Sequence, residues 1–397
     1  MVHVTLSPGN RQAGAATLIF SVTILFLVSL ITVYVSQSVL FDQKISNNDV
    51  RHKHSFEAAE TGMAAAKAYI RNNGPDADED DVLDPVFDTN ADGVGDTNTT
   101  AVGNGNSVTV AVNDLSGGDM TTLQIVAQGF SDDRSANSTV QQLVTRVDPL
   151  PNAPGNPFTT RSSVVIQGAA TIHNPEGHST IWSGGDIDLG SNNATATEIA
   201  DPGDVGYPGC MDVPMTCGTL QSSNKVTIGL DVIENDSTLG NMNDDEMFAN
   251  FFGMGPQQFR DAMVTLETTP ANADTDLHLA TNEIVWVDGD TALTGITLGC
   301  EAAVVGAGTC ALADREPSIL VVDGDLTLSG TPHFYGLVFI TGNVVGSGNT
   351  TFHGALVTAG TVNQAAGSLA VWFNTDVINS LRVLGPLANP SGSWQDF

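Results

Sequence analysis

The sequence has few basic residues. It contains 13 Lys and Arg against 45 Asp and Glu, a net charge of −32. Residues 1–74 hold six basic and four acidic residues, which leaves 7 basic and 41 acidic residues, or −34, for residues 75–397. Nucleic-acid phosphates require cationic partners, so nucleic acid is excluded as a partner. The balance favours solubility outside the cell, contact with divalent cations or a saline habitat.

Charged residues are also missing between Gln12 and Phe41. About 20 apolar residues span a bilayer as a helix, and Arg11 on the short side keeps the N-terminus in the cytoplasm. Everything after residue 42 is therefore expected outside the cytoplasmic membrane. A cleaved secretory signal fits less well, because the run is too long and Tyr34–Gln37 is a poor cleavage site. A plain signal anchor stays as an alternative.

No Gly or Pro interrupts residues 15–61. The pattern stays helical past the membrane segment, where a mostly apolar stripe continues. A helix from Ala15 to about Asn73 would be about 85–90 Å long. Its first half would be apolar all round and its second half amphipathic. The stripe consists of Phe41, Ile45, Phe56, Met63 and Ile70.

Two motifs of this region resemble the N-terminal region of PilX-type minor pilins. They are Arg11-Gln12-x-Gly14-Ala15 and Phe56-Glu57-Ala58-Ala59-Glu60-Thr61-Gly62-Met63. The resemblance implies that prepilin peptidase cuts between Gly14 and Ala15 and removes a leader, residues 1–14. It also implies a single-pass inner-membrane protein that later enters a pilus. The implied partners are the major pilin, other minor pilins and a PilY-type tip adhesin.

The fifth residue after the implied cleavage is Ile19, where most pilins have Glu. An unpaired carboxylate in apolar surroundings costs several kcal/mol. A subunit with no neighbour above it has no terminal amine to pair with that Glu. Ile19 therefore favours a tip or initiating subunit, unless it is simply one more membrane-facing residue. The residues expected in the membrane and then in the filament core are Ile19, Phe20, Leu25, Phe26 and Leu30.

Only four cysteines occur, in two local pairs, Cys210/Cys217 and Cys300/Cys310. Four cysteines allow three connectivities, and proximity favours these two. No zinc-finger spacing is present, and the compartment is expected to be oxidising. We therefore expect two small disulfides.

Residues 75–150 predict an acidic loop followed by a small antiparallel sheet. Three segments alternate in polarity and are separated by turn clusters, so each predicts a strand with one buried face. With the helix of residues 15–74, this sheet would complete an α+β pilin fold. A Pro-rich stretch then predicts a stiff linker at 151–160. The three segments are Ser107–Val112, Thr122–Ala127 and Thr139–Val147.

A degenerate repeat of three hexads occupies residues 319–372. Glycines 324, 342 and 360 are 18 residues apart. That period predicts a parallel β-solenoid over residues 161–390, with an irregular β-sandwich as the alternative. Fainter copies are Ile284–Gly295 and the pair Val164–Gly168 and Ile181–Gly185. An insertion is expected at 192–283, with helices at Asp244–Phe252 and from Pro256 to about Leu266.

The acidic loop contains a D-x-N-x-D-G-x-x-D pattern, typical of calcium loops. Oxygen ligands at alternating positions converge on one centre, and Gly93 permits the sharp turn. Thr99 stands where an EF-hand has its bidentate Glu, so a helix–loop–helix site is not expected. The alternative is a solvated acidic linker. The expected Ca²⁺ ligands are Asp88, Asn90, Asp92, Val94 (through its carbonyl) and Asp96.

The sequence gives little support for catalysis. It has no P-loop and no G-x-S-x-G element, and we expect no enzyme activity. His333 and His353 occupy different hexad positions, so they do not predict a metal pair. Two hypotheses remain. One is a minor pilin that initiates or caps a filament and displays a β-rich domain for adhesion or assembly. The other is a membrane-anchored glycan-binding or glycan-cleaving β-helix, whose paired carboxylates would be Asp288/Asp290 and Asp323/Asp325.

Overall fold

The computed structural model describes residues 13–73, 83, 85–87, 95, 97–117, 120–176, 179–201, 219–300, 310 and 315–396. A long N-terminal helix precedes a β-rich remainder, as the sequence predicts. The described helices are α1 (Ala13–Asn73), α2 (Ser237–Gly240), α3 (Asp244–Phe252), α4 (Pro256–Met263), α5 (Ala273–Asp276) and α6 (Thr375–Ser380), and a 3-10 turn follows at Leu381–Val383.

The described strands fall into three sheets. Their bounds are β1 (Thr99–Ala101), β2 (Ser107–Asp114), β3 (Thr122–Phe130), β4 (Asn137–Arg146), β5 (Phe158–Thr160), β6 (Val164–Ile166), β7 (Ala169–Asn174), β8 (Ile181–Ser183), β9 (Ile187–Asp188), β10 (Ala196–Ala200), β11 (Thr219–Asn224), β12 (Val232–Ile233), β13 (Leu266–Thr268), β14 (Ile284–Asp288), β15 (Thr291–Thr294), β16 (Thr297–Leu298), β17 (Ser318–Asp323), β18 (Leu326–Ser329), β19 (His333–Ile340), β20 (Val344–Gly346), β21 (Asn349–Thr358), β22 (Val362–Gln364), β23 (Ser368–Trp372), β24 (Leu387–Ala388) and β25 (Gln395–Asp396).

The chain divides into two compact units, and the first is built from two separate stretches. It contains the residues up to Thr145 together with Asn389–Phe397. Strands β1 to β4 are antiparallel neighbours in chain order, and β2, β3 and β4 contain the three strands predicted from alternation. The sequence did not predict the return of the C-terminus, where β25 pairs antiparallel with β4.

The second unit, Arg146–Ala388, consists mainly of parallel strands. One sheet of six strands runs β15-β18-β20-β22-β6-β9, and every pair in it is parallel. The other has 13 strands along the path β11-β10-β7-β23-β21-β19-β17-β14-β13, with β5, β8, β12 and β16 attached beside it. Both sheets are open paths of strands.

The pairing register in this unit follows the 18-residue spacing of the sequence. Leu326 pairs with Val344, and Val344 pairs with Val362. Phe334 pairs with Phe352, and their rings stack 4.8 Å apart. The glycine column also stacks, since a Cβ on residue 360 would lie 2.3 Å from the carbonyl oxygen of residue 342.

The interior of the second unit explains why several of its strands are apolar throughout. One set of side chains, including Leu326, Val344 and Phe352, forms a continuous core. Alternate side chains of β14, β17, β19 and β21 pack on the opposite face against the aromatic side chains of α3 and α4. Those strands are therefore buried on both faces, as parallel strands covered by helices are.

The inserted helices form where the sequence predicts them. Asn243 caps α3 in a capping box with Glu246, and Gly253 ends the helix in the left-handed conformation. Helix α4 begins at Pro256 and ends at Met263, three residues before the predicted end. The surrounding segment 192–283 is not a simple interruption, however. Its strands β10 and β13 pair in parallel with β7 and β14 and so extend the large sheet.

Three other expectations differ from the structure. The stretches at 164–168 and 181–185 do not pair with each other: Val164 pairs with Ile187, and Ile181 pairs with Phe158. Ile284 pairs directly with Ile319, so these two copies of the repeat are neighbours rather than two turns apart. The predicted linker 151–160 ends in β5, whose three side chains are all buried.

Candidate functional site

The first half of α1 exposes an apolar surface. By length and composition, α1 is the one described helix that could cross a membrane. No segment of the described chain covers it, and the apolar window of this helix is 0% buried. The five side chains predicted for the membrane and filament core are all more than half exposed, and they are Ile19 (66%), Phe20 (68%), Leu25 (70%), Phe26 (64%) and Leu30 (52%).

The hydroxyl groups within this apolar segment are satisfied by the helix itself. Four Ser and Thr side chains each donate to the carbonyl oxygen four residues earlier, at 2.7–2.8 Å. An unpaired hydroxyl in hydrocarbon costs free energy, and these internal bonds reduce that cost. The segment therefore suits apolar surroundings despite its polar residues. The four are Ser21, Thr23, Ser29 and Thr32.

The second half of α1 packs on the antiparallel sheet. Its buried residues recur at helical spacing and face the inward side chains of β2 and β3. Two glycines allow a close approach. A Cβ on Gly129 would lie 2.0 Å from the carbonyl oxygen of Ser55, and a Cβ on Gly62 would lie 2.4 Å from a methyl group of Val108. The buried helix residues are Ser55, Ala58, Ala59, Met63, Ala66 and Ile70.

Polar contacts fix the register between helix and sheet. The Arg51 guanidinium lies 2.9 Å from the Asp133 carboxylate. Hydrogen bonds from Ser135, with smaller contributions from Ser131 and the Arg51 charge, lower the pKa of Asp133 to about 2. Asp133 is therefore charged at physiological pH and holds the turn between β3 and β4 beside the helix.

Two further contacts lie along the same helix. The Ser55 and Ser138 hydroxyls are 2.9 Å apart, and Lys67 donates to Gln142 at 2.9 Å. Both sheet partners belong to β4, whereas the close glycine contact comes from β3. The helix is thus held across the width of the sheet.

The structure describes the predicted site residues unevenly. Gly14 and Ala15 lie within α1. The five calcium residues, Asp88, Asn90, Asp92, Val94 and Asp96, lie outside the described residues, as do Cys210 and Cys217. Within the described part of the chain, no group of three or more His, Cys, Asp or Glu side chains could hold a metal ion. Cys300 and Cys310 form a disulfide with Cα atoms 6.2 Å apart.

The paired carboxylates of the repeat bind backbone groups. Asp290 Oδ1 accepts a hydrogen bond from the Asp325 N–H at 2.9 Å. Asp325 Oδ1 in turn accepts from the Asn343 N–H at 2.7 Å. These contacts support turn formation between successive strands as the role of the carboxylates.

The two histidines of the repeat lie on neighbouring strands in different environments. The His353 ring stacks on Tyr335 at 4.6 Å between ring centres. Burial, and then the proximity of His353, lower the pKa of His333. The sequence expectation that these two residues do not stack as a pair agrees with their register, in which His333 pairs with Thr351.

Sequence reasoning missed a buried carboxylate in the second unit. Asp231 is 2% exposed and accepts hydrogen bonds from Thr180, Thr197, Ser222 and Ser223, at 2.5–2.7 Å. Burial alone would raise the pKa of Asp231, but the four hydroxyl hydrogen bonds together lower it. No sequence motif links these five positions, because they come from four separate segments.

A second missed group joins β7, β10 and β23. The His173 ring stacks on Trp372 with ring centres 3.5 Å apart. Its Nδ1 lies 3.1 Å from the Glu198 carboxylate, although the angles are not those of a hydrogen bond, so the contact is electrostatic. Burial lowers the pKa of His173 and outweighs the opposite effect of Glu198.

Comparison with known proteins identifies the N-terminal segment. Residues 13–64 match the family model described as PilX N-terminal. This match confirms the predicted resemblance; it lies wholly within α1 and excludes both the sheets and residues 65–397. The segment is thus of the PilX N-terminal type.

Comparison of the whole chain adds little. Among solved structures, the chain is similar to the competence-associated pilin ComZ from Thermus thermophilus, at 12% identity and a TM-score of 0.28, over 88% of this chain and 98% of that chain. A similarity that low carries no argument. No curated protein matches the chain.

Proposed function

We propose that the protein is a minor pilin of a type IV pilus. The observation that carries the proposal is α1: one continuous helix of 61 residues, apolar and exposed in its first half and packed on an antiparallel sheet in its second. Such a helix holds a subunit in the inner membrane, N-terminus in the cytoplasm, and later buries the same surface among other pilins. The implied partners are the major pilin, other minor pilins and a PilY-type adhesin.

Processing by prepilin peptidase between Gly14 and Ala15 is part of this proposal. The test replaces Gly14 by Phe and compares it with Ala13→Phe, the same change at the variable position of the motif. We expect Gly14→Phe to abolish both cleavage and piliation and Ala13→Phe to leave both intact. An uncleaved Gly14→Phe protein that still supports full piliation would refute the proposal and favour the membrane-anchored alternative.

A tip or initiating position is supported by Ile19. A charged group at mid-bilayer costs roughly 2.5–3.5 kcal/mol on insertion scales unless it is paired. A subunit with no neighbour above it therefore gains nothing from Glu at this position. Immunogold labelling of pili tests the position: label confined to filament ends supports the proposal, and label along the shaft contradicts it.

The second unit is proposed to be a β-solenoid that serves adhesion or assembly. Support comes from the parallel register of 18 residues, the stacked glycine column and the shared core of its two sheets. In this arrangement each turn of chain contributes one strand to the six-stranded sheet and others to the large sheet. Deletion of one whole 18-residue turn, residues 337–354, should preserve folding better than deletion of nine residues, because it keeps the register.

A calcium site at Asp88, Asn90, Asp92, Val94 and Asp96 stays a proposal supported by the sequence pattern alone. Calorimetry on the full chain in detergent, with Asp92→Ala as the comparison, tests it. Heat of Ca²⁺ binding that disappears in Asp92→Ala supports the site, and equal heat in both proteins contradicts it.

We also propose that the protein is not an enzyme. The four carboxylates that would serve a glycan-cleaving β-helix are Asp288, Asp290, Asp323 and Asp325, and two of them cap the backbone of the next strand. A purified protein that hydrolyses polysaccharide, and loses that activity in Asp290→Asn, would overturn this proposal.

A further inference from the structure

The outer face of the antiparallel sheet differs in character from the rest of this acidic chain. Side chains of β2, β3 and β4 alternate between the buried face under α1 and an outer, partly exposed face. The outward positions of these three strands include no Asp, Glu, Lys or Arg. They are dominated by Thr and Gln, although residues 75–397 contain 48 charged residues.

The amide groups on this face form a connected row. Asn113 donates to Gln124 at 3.4 Å, Gln124 donates to Gln141 at 3.4 Å, and Gln141 donates to Gln395 at 2.7 Å. The last of these comes from the C-terminal stretch that returns to the first unit. Four strands therefore present amide donors and acceptors side by side on one surface.

The C-terminal stretch also builds a wall beside this row. Pro390 accepts a hydrogen bond from the Ser393 N–H at 3.1 Å, and Gly392 has a φ of 77°, which together define a type II turn. Ser393 Oγ donates to the Leu143 carbonyl at 3.3 Å. The turn and the sheet enclose a surface cavity of about 270 Å³.

The lining of this cavity defines the chemistry of its ligand. It includes Gln124, Gln141, Gln395, Ser391 and Ser393, and no charged residue. The volume lies just below the roughly 300–1,000 Å³ typical of small-molecule sites, so it suits one ring-sized group. Gln and Ser side chains both donate and accept hydrogen bonds, which matches the vicinal hydroxyls of a sugar. The lack of a cation, in a chain of net charge −32, disfavours phosphate, sulfate or carboxylate groups.

We propose that this cavity binds a neutral sugar unit, at the end or along the chain of a glycan without acidic groups. Gln124 and Gln141 are the principal hydrogen-bonding side chains, and the 390–393 turn forms the opposite wall. The site belongs entirely to the first unit and is separate from the parallel sheets. It does not depend on assembly into a filament, so it can be tested whether or not the protein is a pilin.

The test uses the full chain in micelles of a zwitterionic detergent that has no sugar head group. Cellobiose, lactose and N,N′-diacetylchitobiose are titrated by saturation-transfer difference NMR, with glucuronic acid as the charged comparison. At least one neutral disaccharide is expected to bind, and glucuronic acid is not. Gln141→Ala should weaken that binding about five-fold, as loss of a neutral hydrogen bond does.

Two further variants keep the test decisive. Gln124→Ala should weaken binding to a similar extent without touching the contact to the C-terminal stretch, which covers the case in which Gln141→Ala disturbs folding. Gln128→Ala lies on the same strand and the same outer face but outside the cavity, and it should bind like the wild type. Absence of binding by all three neutral sugars, equal binding of glucuronic acid, or an equal loss in Gln128→Ala would overturn the proposal.

Discussion

The close approach of α1 to the antiparallel sheet depends on Gly129, and Gly129→Ala is the substitution that tests it. A Cβ at this position would lie 2.0 Å from the Ser55 carbonyl oxygen and 2.4 Å from the Ala59 nitrogen. Both are backbone atoms of α1, so neither can move aside as a side-chain end would. The added methyl group would have to displace the helix from β3.

The expected cost follows from what that displacement uncovers. Ala59 and Ala66 are fully buried against the sheet, and Met63 is 3% exposed. Overpacking a well-packed contact costs about 1–3 kcal/mol. At about 4 °C per kcal/mol for a unit of this size, the melting temperature of the first unit should fall by about 4–12 °C. Hydrogen-exchange mass spectrometry should show faster exchange in peptides from β2 to β4.

Gly155→Ala is the matched control, because a Cβ at residue 155 would meet nothing within 4 Å. Gly62→Ala should have an intermediate effect, since its Cβ would meet methyl groups of Val108 rather than backbone. Exchange rates of β2 to β4 in Gly129→Ala that equal those of the wild type would refute the argument. An equal loss of stability in Gly155→Ala would refute it as well.

Three predictions concern the second unit. Phe248→Ala should lower its free energy of unfolding by about 3–5 kcal/mol, because a fully buried ring between helix and sheet leaves a cavity. Asp231→Asn should cost about 3 kcal/mol or more, since the amide nitrogen cannot accept from hydroxyls and charge-assisted bonds contribute about 1.5–3 kcal/mol each. Because burial lowers the pKa of His173 below the unfolded value of about 6.5, acidification through that value should destabilise the unit progressively, down to the folded pKa. Urea unfolding, at pH 7.5 for the variants and from pH 7.5 to 5 for the wild type, measures all three.

Each of these predictions has its own control. Val226→Ala removes an 82% exposed side chain and should change the unfolding free energy little, in contrast to Phe248→Ala. Asp186→Asn, on an exposed loop carboxylate, is the comparison for Asp231→Asn. His173→Gln should remove part of the acid-dependent decline and leave the part due to His333, whose pKa is lowered in the same direction. A decline of equal size in His173→Gln would contradict the role of the stacked histidine.

The sequence predicted the parts of this fold that local chemistry determines. Helix α3 begins at Asn243 and ends at Gly253 because its caps lie within the segment itself. Strands β2, β3 and β4 alternate because one face of each is buried. In both cases the signal lies within about ten residues of the structure that it determines.

Pairings between distant segments could not be predicted in the same way. The 17-residue spacing between Val164 and Ile181 resembles a turn of the repeat, but these residues lie in different sheets. Periodicity gives the spacing of strands and not the sheet to which each one belongs. The C-terminal strand pairs residues 395 and 141, and two residues are too few to produce an alternating pattern. Asp231 and its four hydroxyl partners likewise come together only in the folded chain.

The strand order of the second unit determines when it can fold. Strands β5, β6 and β7 begin this unit, yet each pairs with a strand near its end, β21, β22 and β23 respectively. When the chain emerges across the membrane from its N-terminus, these three strands have one unoccupied edge until residues 349–372 arrive. Nearly two hundred residues must therefore be exported before the early strands find their second neighbours. During that interval their free edges would be open to pairing with other chains, and a chaperone or rapid export would protect them.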